Sequence, residues 1–161
     1  MSKNPEVNAL VACLVGSWEG NGTVSYPTLD DFSYREELEI TARPDHPALH
    51  YEQRTWTLSD DGESPSHWET GFLRINGDWT VRILNAQGGR AEVMEGTFRT
   101  QNTGWLIELH GVGYAGDPRM RASTRSLRVG ASTIDYTMSM STNRVDDLTI
   151  HLKGSLSRVD L

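Results

Sequence analysis

The chain has 161 residues, 37% hydrophobic and 23% charged, with a formal charge of −7 at pH 7, which fits one domain over residues 1–161 with a substantial core. The negative balance argues against nucleic acid, whose phosphates need a concentrated basic face, and no apolar run nears the roughly 20 residues of a membrane helix. Cys13 is the sole cysteine, so an internal disulfide and a thiolate zinc cluster are both excluded; the N-terminal MSKNPEVNAL lacks the apolar core of a secretory signal, and a cytoplasmic location is expected.

The first segment reads as a short amphipathic helix. Asn4 is a cap, Pro5 suits the first helical position, and Val7, Leu10, Val11 and Leu14 recur at helical spacing until Gly16. Beyond Gly16 the period changes to two. SYREELEIT (33–41) sets Tyr34, Leu38 and Ile40 against Arg35, Glu37 and Glu39; WTVRILN (79–85) sets Trp79, Val81 and Ile83 against Thr80 and Arg82; GWLIELHG (104–111) alternates in the same way. Turn signals separate such segments: DDG at 60–62, NGD at 76–78, GG at 88–89, NTG at 102–104, AGDP at 115–118 and VGAS at 129–132. Strands are expected near 17–26, 33–42, 48–58, 67–75, 79–85, 91–99, 104–112, 119–129, 132–141 and 147–159. Ten short strands with tight turns predict an all-β, antiparallel up-and-down barrel carrying a short N-terminal helix. A barrel of that size is not easily filled by its own side chains, so a lumen for a small ligand is expected.

Most of the reactive side chains have bland readings. Arg119, Arg121, Arg125 and Arg128 form the densest basic group and read as a solvated, mixed-charge strand on which 119, 121 and 125 share one face. The acidic pairs Asp30–Asp31, Asp60–Asp61 and Asp146–Asp147 fall where loops are expected. His46 and His50 have H-x3-H spacing, but Pro44 and Pro47 oppose the helix that would align them on a metal. His110 ends a strand as a half-exposed polar residue. GSWEGNG (16–22) lacks the Lys-Ser/Thr of a phosphate loop; here Gly16 ends the helix, Gly20 and Gly22 relieve crowding between strands, and Trp18 plugs the barrel floor. There is no nucleophile elbow or ordered triad. His67, at the entry to a strand, and His151, in the closing strand DDLTIHLKGSLSRV (146–159), remain. Leu148, Ile150, Leu152 and Leu156 alternate there with His151 opposite, and periodicity does not decide whether the imidazole faces the lumen or the outside.

Four segments, in order along nearly the whole chain, resemble the nitrobindin family of haem-binding barrels. LVGSWEGNG is similar to its G-x-W-x-G-x-G signature, YPTLDDFSYREELEI to its Y-P-T-[IL]-x-x-F-x-Y-x-E-E stretch, PSHWETGFLR to its P-x-H-x-E-x-G-[FY]-[FIL]-R and IHLKGSL to its closing H-L-x-x-x-L strand. The resemblance implies ferric haem b in one mouth of the barrel, His151 as axial ligand to the iron, Thr28 as a haem contact and His67 on the distal side. It also implies isomerisation of peroxynitrite to nitrate, with His151 and His67 as the residues of the site, and binding of nitric oxide at the open coordination position. Ser66 departs from the Leu or Met common before the distal histidine and predicts a more polar distal pocket. The alternatives are a haem-free carrier of fatty acid or another small apolar ligand, and a ligand-free interaction module. A homodimer paired through an outer face is compatible with a barrel, although no stretch commits to it.

Overall fold

The computed structural model describes residues 4–159. Helix α1 (Pro5–Leu14) starts where Asn4, in extended conformation, accepts the Glu6 amide on its side chain at 2.9 Å, which satisfies one of the free first-turn donors. Val7, Leu10 and Leu14 form its buried stripe. Ten strands follow: β1 (Gly16–Tyr26), β2 (Leu29–Ala42), β3 (Ala48–Ser59), β4 (Gly62–Ile75), β5 (Thr80–Gln87), β6 (Arg90–Gln101), β7 (Gly104–Ala115), β8 (Met120–Val129), β9 (Thr133–Thr142) and β10 (Thr149–Arg158). Each pairs antiparallel with the next, and β1 pairs with β10, so the sheet closes on itself and leaves no free edge.

Three local differences from the sequence reading have simple causes. Strands β2 and β4 begin earlier than expected, because tight turns at Pro27–Thr28 and Asp60–Asp61 let pairing run almost to the hairpin tips. Asp30 and Asp31 therefore lie on β2 and are exposed, not in a loop. Trp79 is not the first residue of a strand: it adopts φ 70° in the turn before β5, and its ring packs on Phe98 at 5.0 Å.

One end of the lumen is a packed core. Trp18, Phe98, Trp105, Ile107 and Leu156 meet the buried face of α1 there. The helix is fastened by β10. Arg158 donates from Nη1 to the Val15 carbonyl and from Nη2 to the Cys13 carbonyl, each at 2.6 Å, while its guanidinium lies 4.2 Å from the Trp18 ring centroid. These are carbonyls that the helix end leaves unpaired. Trp18 adds a bond from Nε1 to the Leu14 carbonyl at 3.0 Å. Gly16 sits beneath this arrangement at φ 147°, where a Cβ would come within 2.3 Å of Arg158 Nη1.

Glycines also shape the middle of the barrel. Gly22 on β1 faces Gly154 on β10, with Tyr34 on one side and Tyr136 on the other. A Cβ at Gly22 would fall 2.2 Å from the Tyr34 ring, and one at Gly154 would fall 2.4 Å from the Tyr136 ring. The two rings lie across the bare glycines, which brings their hydroxyls to 2.6 Å.

Arg158→Ala is expected to lower unfolding free energy by about 1.5–3 kcal/mol, the range for hydrogen bonds to charged groups. Urea denaturation checks the magnitude, and faster amide exchange confined to α1 and the start of β1 checks the cause.

Candidate functional site: the open mouth of the barrel

The far end of the lumen, built by the ends of odd strands and the starts of even ones, is a half-open cavity of about 280 Å³. Its apolar wall includes Val24, Phe32, Met138, Met140 and Leu152; its polar lining includes His67, His151, Arg90, Glu69, Glu92 and Arg125. Ladder irregularities gather around this mouth. On β10, Ile150 pairs with Ser139 and Leu152 with Met138, so His151 is an extra residue with no partner. This β-bulge resets the alternation, and His151 and Leu152 both face the cavity, while Leu148 and Ile150 are exposed. A second bulge leaves Ser66 unpaired between Pro65 and His67, opposite Thr55 and Trp56. Ser66 and His67 thus both line the cavity, and the Ser66 hydroxyl meets that of Thr55 at 2.9 Å.

His151 is held but not satisfied. The Tyr26 ring stands edge-on to it at 6.1 Å, and its Nδ1 is buried without a hydrogen bond of standard geometry. Burial lowers its pKa to about 4, and the positive charges of Arg90 and Arg125 add to this, against a smaller opposing effect from the Met138 backbone. At neutral pH the ring is an uncharged imidazole, the form that binds a metal.

Beneath the mouth lies a buried charged belt. Arg125 donates from Nη1 and Nη2 to Glu69 at 2.7 and 3.0 Å, and from Nη2 to Glu92 at 3.2 Å. The three side chains are 8%, 2% and 1% exposed. The Tyr51 hydroxyl donates to Glu69 at 2.5 Å, and the Ser123 hydroxyl donates to Glu92. Burial would raise the Glu69 pKa, but Arg125 above all holds it well below the usual carboxylate range. Glu36, fully buried nearby, is raised by burial despite donors from Tyr136 and from Gln53 at 2.6 Å. Below this belt is a second, apolar cavity of about 70 Å³ walled by residues such as Leu73, Ile107 and Ile134.

The structure brings His151 and His67 to one cavity, with His67 Nε2 3.6 Å from Glu69 Oε2. Thr28 does not line it; that residue is exposed in the β1–β2 turn. His46 accepts the Ala48 amide in a turn, and His50 Nε2 bonds the Thr70 hydroxyl at 2.9 Å. Arg125 overturns the reading of a solvated arginine strand. A bulge between Met120 and Ala122 shifts the phase of β8, so Arg119 and Arg121 stay exposed while Arg125 turns inward. The sequence reading also missed Glu36, Glu69, Glu92 and Arg90. The available signal for the first was a charge in phase with apolar neighbours, as Glu36 is with Tyr34, Leu38 and Ile40.

A haem fits these residues: an uncharged imidazole lines an open cavity with apolar walls, opposite a second histidine. The architecture is that of a cofactor-binding β-barrel with histidines lining its open mouth. Residues 8–158 match the family described as the THAP4-like, heme-binding beta-barrel domain, and the chain belongs to that family, as its nitrobindin-like motifs implied. It is 30% identical over 161 residues to a peroxynitrite isomerase from Arabidopsis thaliana, covering 98% of this chain and 93% of the relative. It is 34% identical over 159 residues to a peroxynitrite isomerase from Nocardia farcinica (96% and 92% covered). The crystal structure of Rv2717c from M. tuberculosis superposes with a TM-score of 0.86 at 30% identity, over 99% of this chain and 100% of the other.

Replacing Arg125 with Leu is expected to cost about 3–5 kcal/mol, because Glu69 and Glu92 would stay buried without their counter-charge. Chemical denaturation at pH 7 checks this, and adding Glu69→Gln to the same background should recover part of the loss.

Proposed function

We propose that this chain holds ferric haem b in the mouth of the barrel through His151 and isomerises peroxynitrite to nitrate, with nitric oxide as a second ligand of the same site. The observation that carries the reading is the His151 imidazole, uncharged at physiological pH and turned by a bulge into a cavity open to solvent. The names of the relatives support the reaction. Bound haem would supply the iron at which peroxynitrite rearranges. The residues of the chain do the rest. His151 would supply a nitrogen to hold the iron, and the bulge turns the ring toward the cavity. Val24, Phe32, Met138 and Met140 would give the bound group an apolar wall that excludes water. Thr28, exposed at the tip of the β1–β2 hairpin, would contact haem only beyond the cavity lining. His67, beside Glu69, serves the distal side, and the exposed Ser66 hydroxyl makes that side more polar. Cys13, free and without a possible disulfide partner in the chain, suits a reducing cytoplasm.

A fatty-acid carrier is less well supported. An acyl chain entering the mouth would meet Arg125, Glu69 and Glu92 before it reached the apolar cavity beyond them, and those charges cannot be left unpaired.

Haemin added to the purified protein should give a ligated-haem Soret band that is lost in His151→Ala, and nitrate yield from peroxynitrite should follow haem occupancy. A wild-type protein that leaves the haemin spectrum unchanged would end this reading. The pH dependence has a defined sign. The folded imidazole takes up a proton only near pH 4, whereas a free histidine does so near 6.5. Proton competition for His151 should therefore be negligible from pH 7 to 5 and set in as the pH approaches 4. Haem affinity measured across that range checks it, and an affinity loss centred near 6.5 would contradict it.

A further inference from the structure

The wall facing His151 carries a cation that the proposed chemistry has not used. Around the closed order of strands, β4 lies four places from β10 in one direction and β6 lies four places in the other, with only β5 between them. The side of the lumen opposite His151 is therefore formed by β4, β5 and β6. From it His67, Gln87 and Arg90 all line the cavity.

Arg90 is the first residue of β6, placed by the tight hairpin at Gly88–Gly89. Its Nε is buried and has no hydrogen-bond partner. Its Nη1 contacts the Met120 sulfur at 3.0 Å, a weak acceptor. Among the described residues no carboxylate lies within ion-pair distance of Arg90. Glu69 and Glu92 are both taken by Arg125, and Asp117, within electrostatic range, is hydrogen-bonded to Arg119 at 2.9 and 3.0 Å. A guanidinium is always charged, and leaving a buried donor unmet is costly. Its planar fork matches an anion that presents two oxygens in one plane.

We propose that Arg90 is an oxyanion site in the haem cavity, facing the axial histidine and selecting planar oxyanions such as peroxynitrite, nitrate or a carboxylate. This rests on the haem reading above. Two sources have this chemistry: the anion that reaches the open side of the iron, and a propionate of the haem itself. Peroxynitrite in its anionic form would have one end drawn to Arg90 while the other approaches the position opposite His151. Arg90 is thus a residue of substrate selection, distinct from the two histidines.

The test compares wild type, Arg90→Leu and Arg90→Lys, each loaded with ferric haem, for affinity toward nitrite, a planar oxyanion, and imidazole, a neutral ligand. Arg90→Leu should weaken nitrite by about tenfold or more, as expected for removal of a close, desolvated charge, with imidazole changed less than about twofold and nitrite partly restored in Arg90→Lys. Haemin and its dimethyl ester, titrated into each apoprotein, separate the two sources. Selective loss of haemin affinity in Arg90→Leu assigns the guanidinium to a propionate; equal retention of both, with nitrite weakened, assigns it to the iron-side anion. Nitrite and haemin affinities both unchanged in a folded, haem-loaded Arg90→Leu would overturn the proposal. Should wild type fail to bind haemin, the haem reading falls by itself. The site is then decided by nitrate titration of the ligand-free protein, which must move the Arg90 Nε–H resonance saturably in NMR spectra; an unmoved resonance ends it.

Discussion

One buried guanidinium sets the plan of this barrel. Arg125, on β8, neutralises Glu92 two strands away and Glu69 four strands away, so its ion pairs span the lumen instead of running along a ladder. A ten-stranded sheet encloses more volume than its side chains readily fill. Here the problem is divided. The helix end is filled with aromatic and aliphatic side chains, while the mouth is left hollow. The charged belt is the boundary. It cannot sink into the apolar floor, where its carboxylates would lose their donors, nor can one member leave without stranding the others. The depth available to a ligand is therefore set by electrostatics as much as by the width of the sheet.

Above the belt, direction is controlled by broken strand alternation. A regular strand sends every second side chain inward, which would let either His151 or Leu152 face the lumen, not both. The bulge at His151 removes that restriction, and the one at Ser66 does the same beside His67. The cavity thereby gains an apolar side chain and an imidazole from adjacent positions of one strand. Bulges that redirect side chains are common beside active sites, and here they coincide with the two histidines.

The barrel was legible because period-two alternation and turn residues survive in almost every strand. Its inner chemistry was less so, for reasons that can be assigned residue by residue. The face of His151 stayed open because a bulge leaves no mark in a hydrophobic pattern; only the likeness of IHLKGSL to a known closing strand pointed inward. Arg125 was hidden by another bulge, at Arg121, which put three arginines at alternating sequence positions on different faces. Glu36 and Glu69 were in phase with apolar residues, but a charged side chain on an inward position carries no sign of whether a partner waits for it. Gly22 was read as relieving crowding between strands, but its partner Gly154 and the tyrosines Tyr34 and Tyr136 that lie across the pair appear only in the structure. In each case the missing information was a contact between distant strands.

The two histidines of the mouth are treated differently by the charges around them. His151 faces Arg90 and Arg125, which oppose a proton on the ring, and burial acts in the same direction. His67 stands across the cavity with the Glu69 carboxylate 3.6 Å from its Nε2, and that carboxylate is kept ionised mainly by Arg125. The same guanidinium thus helps to keep one imidazole uncharged and keeps a negative charge beside the other. The belt that closes the floor of the cavity is also what makes its two sides unequal.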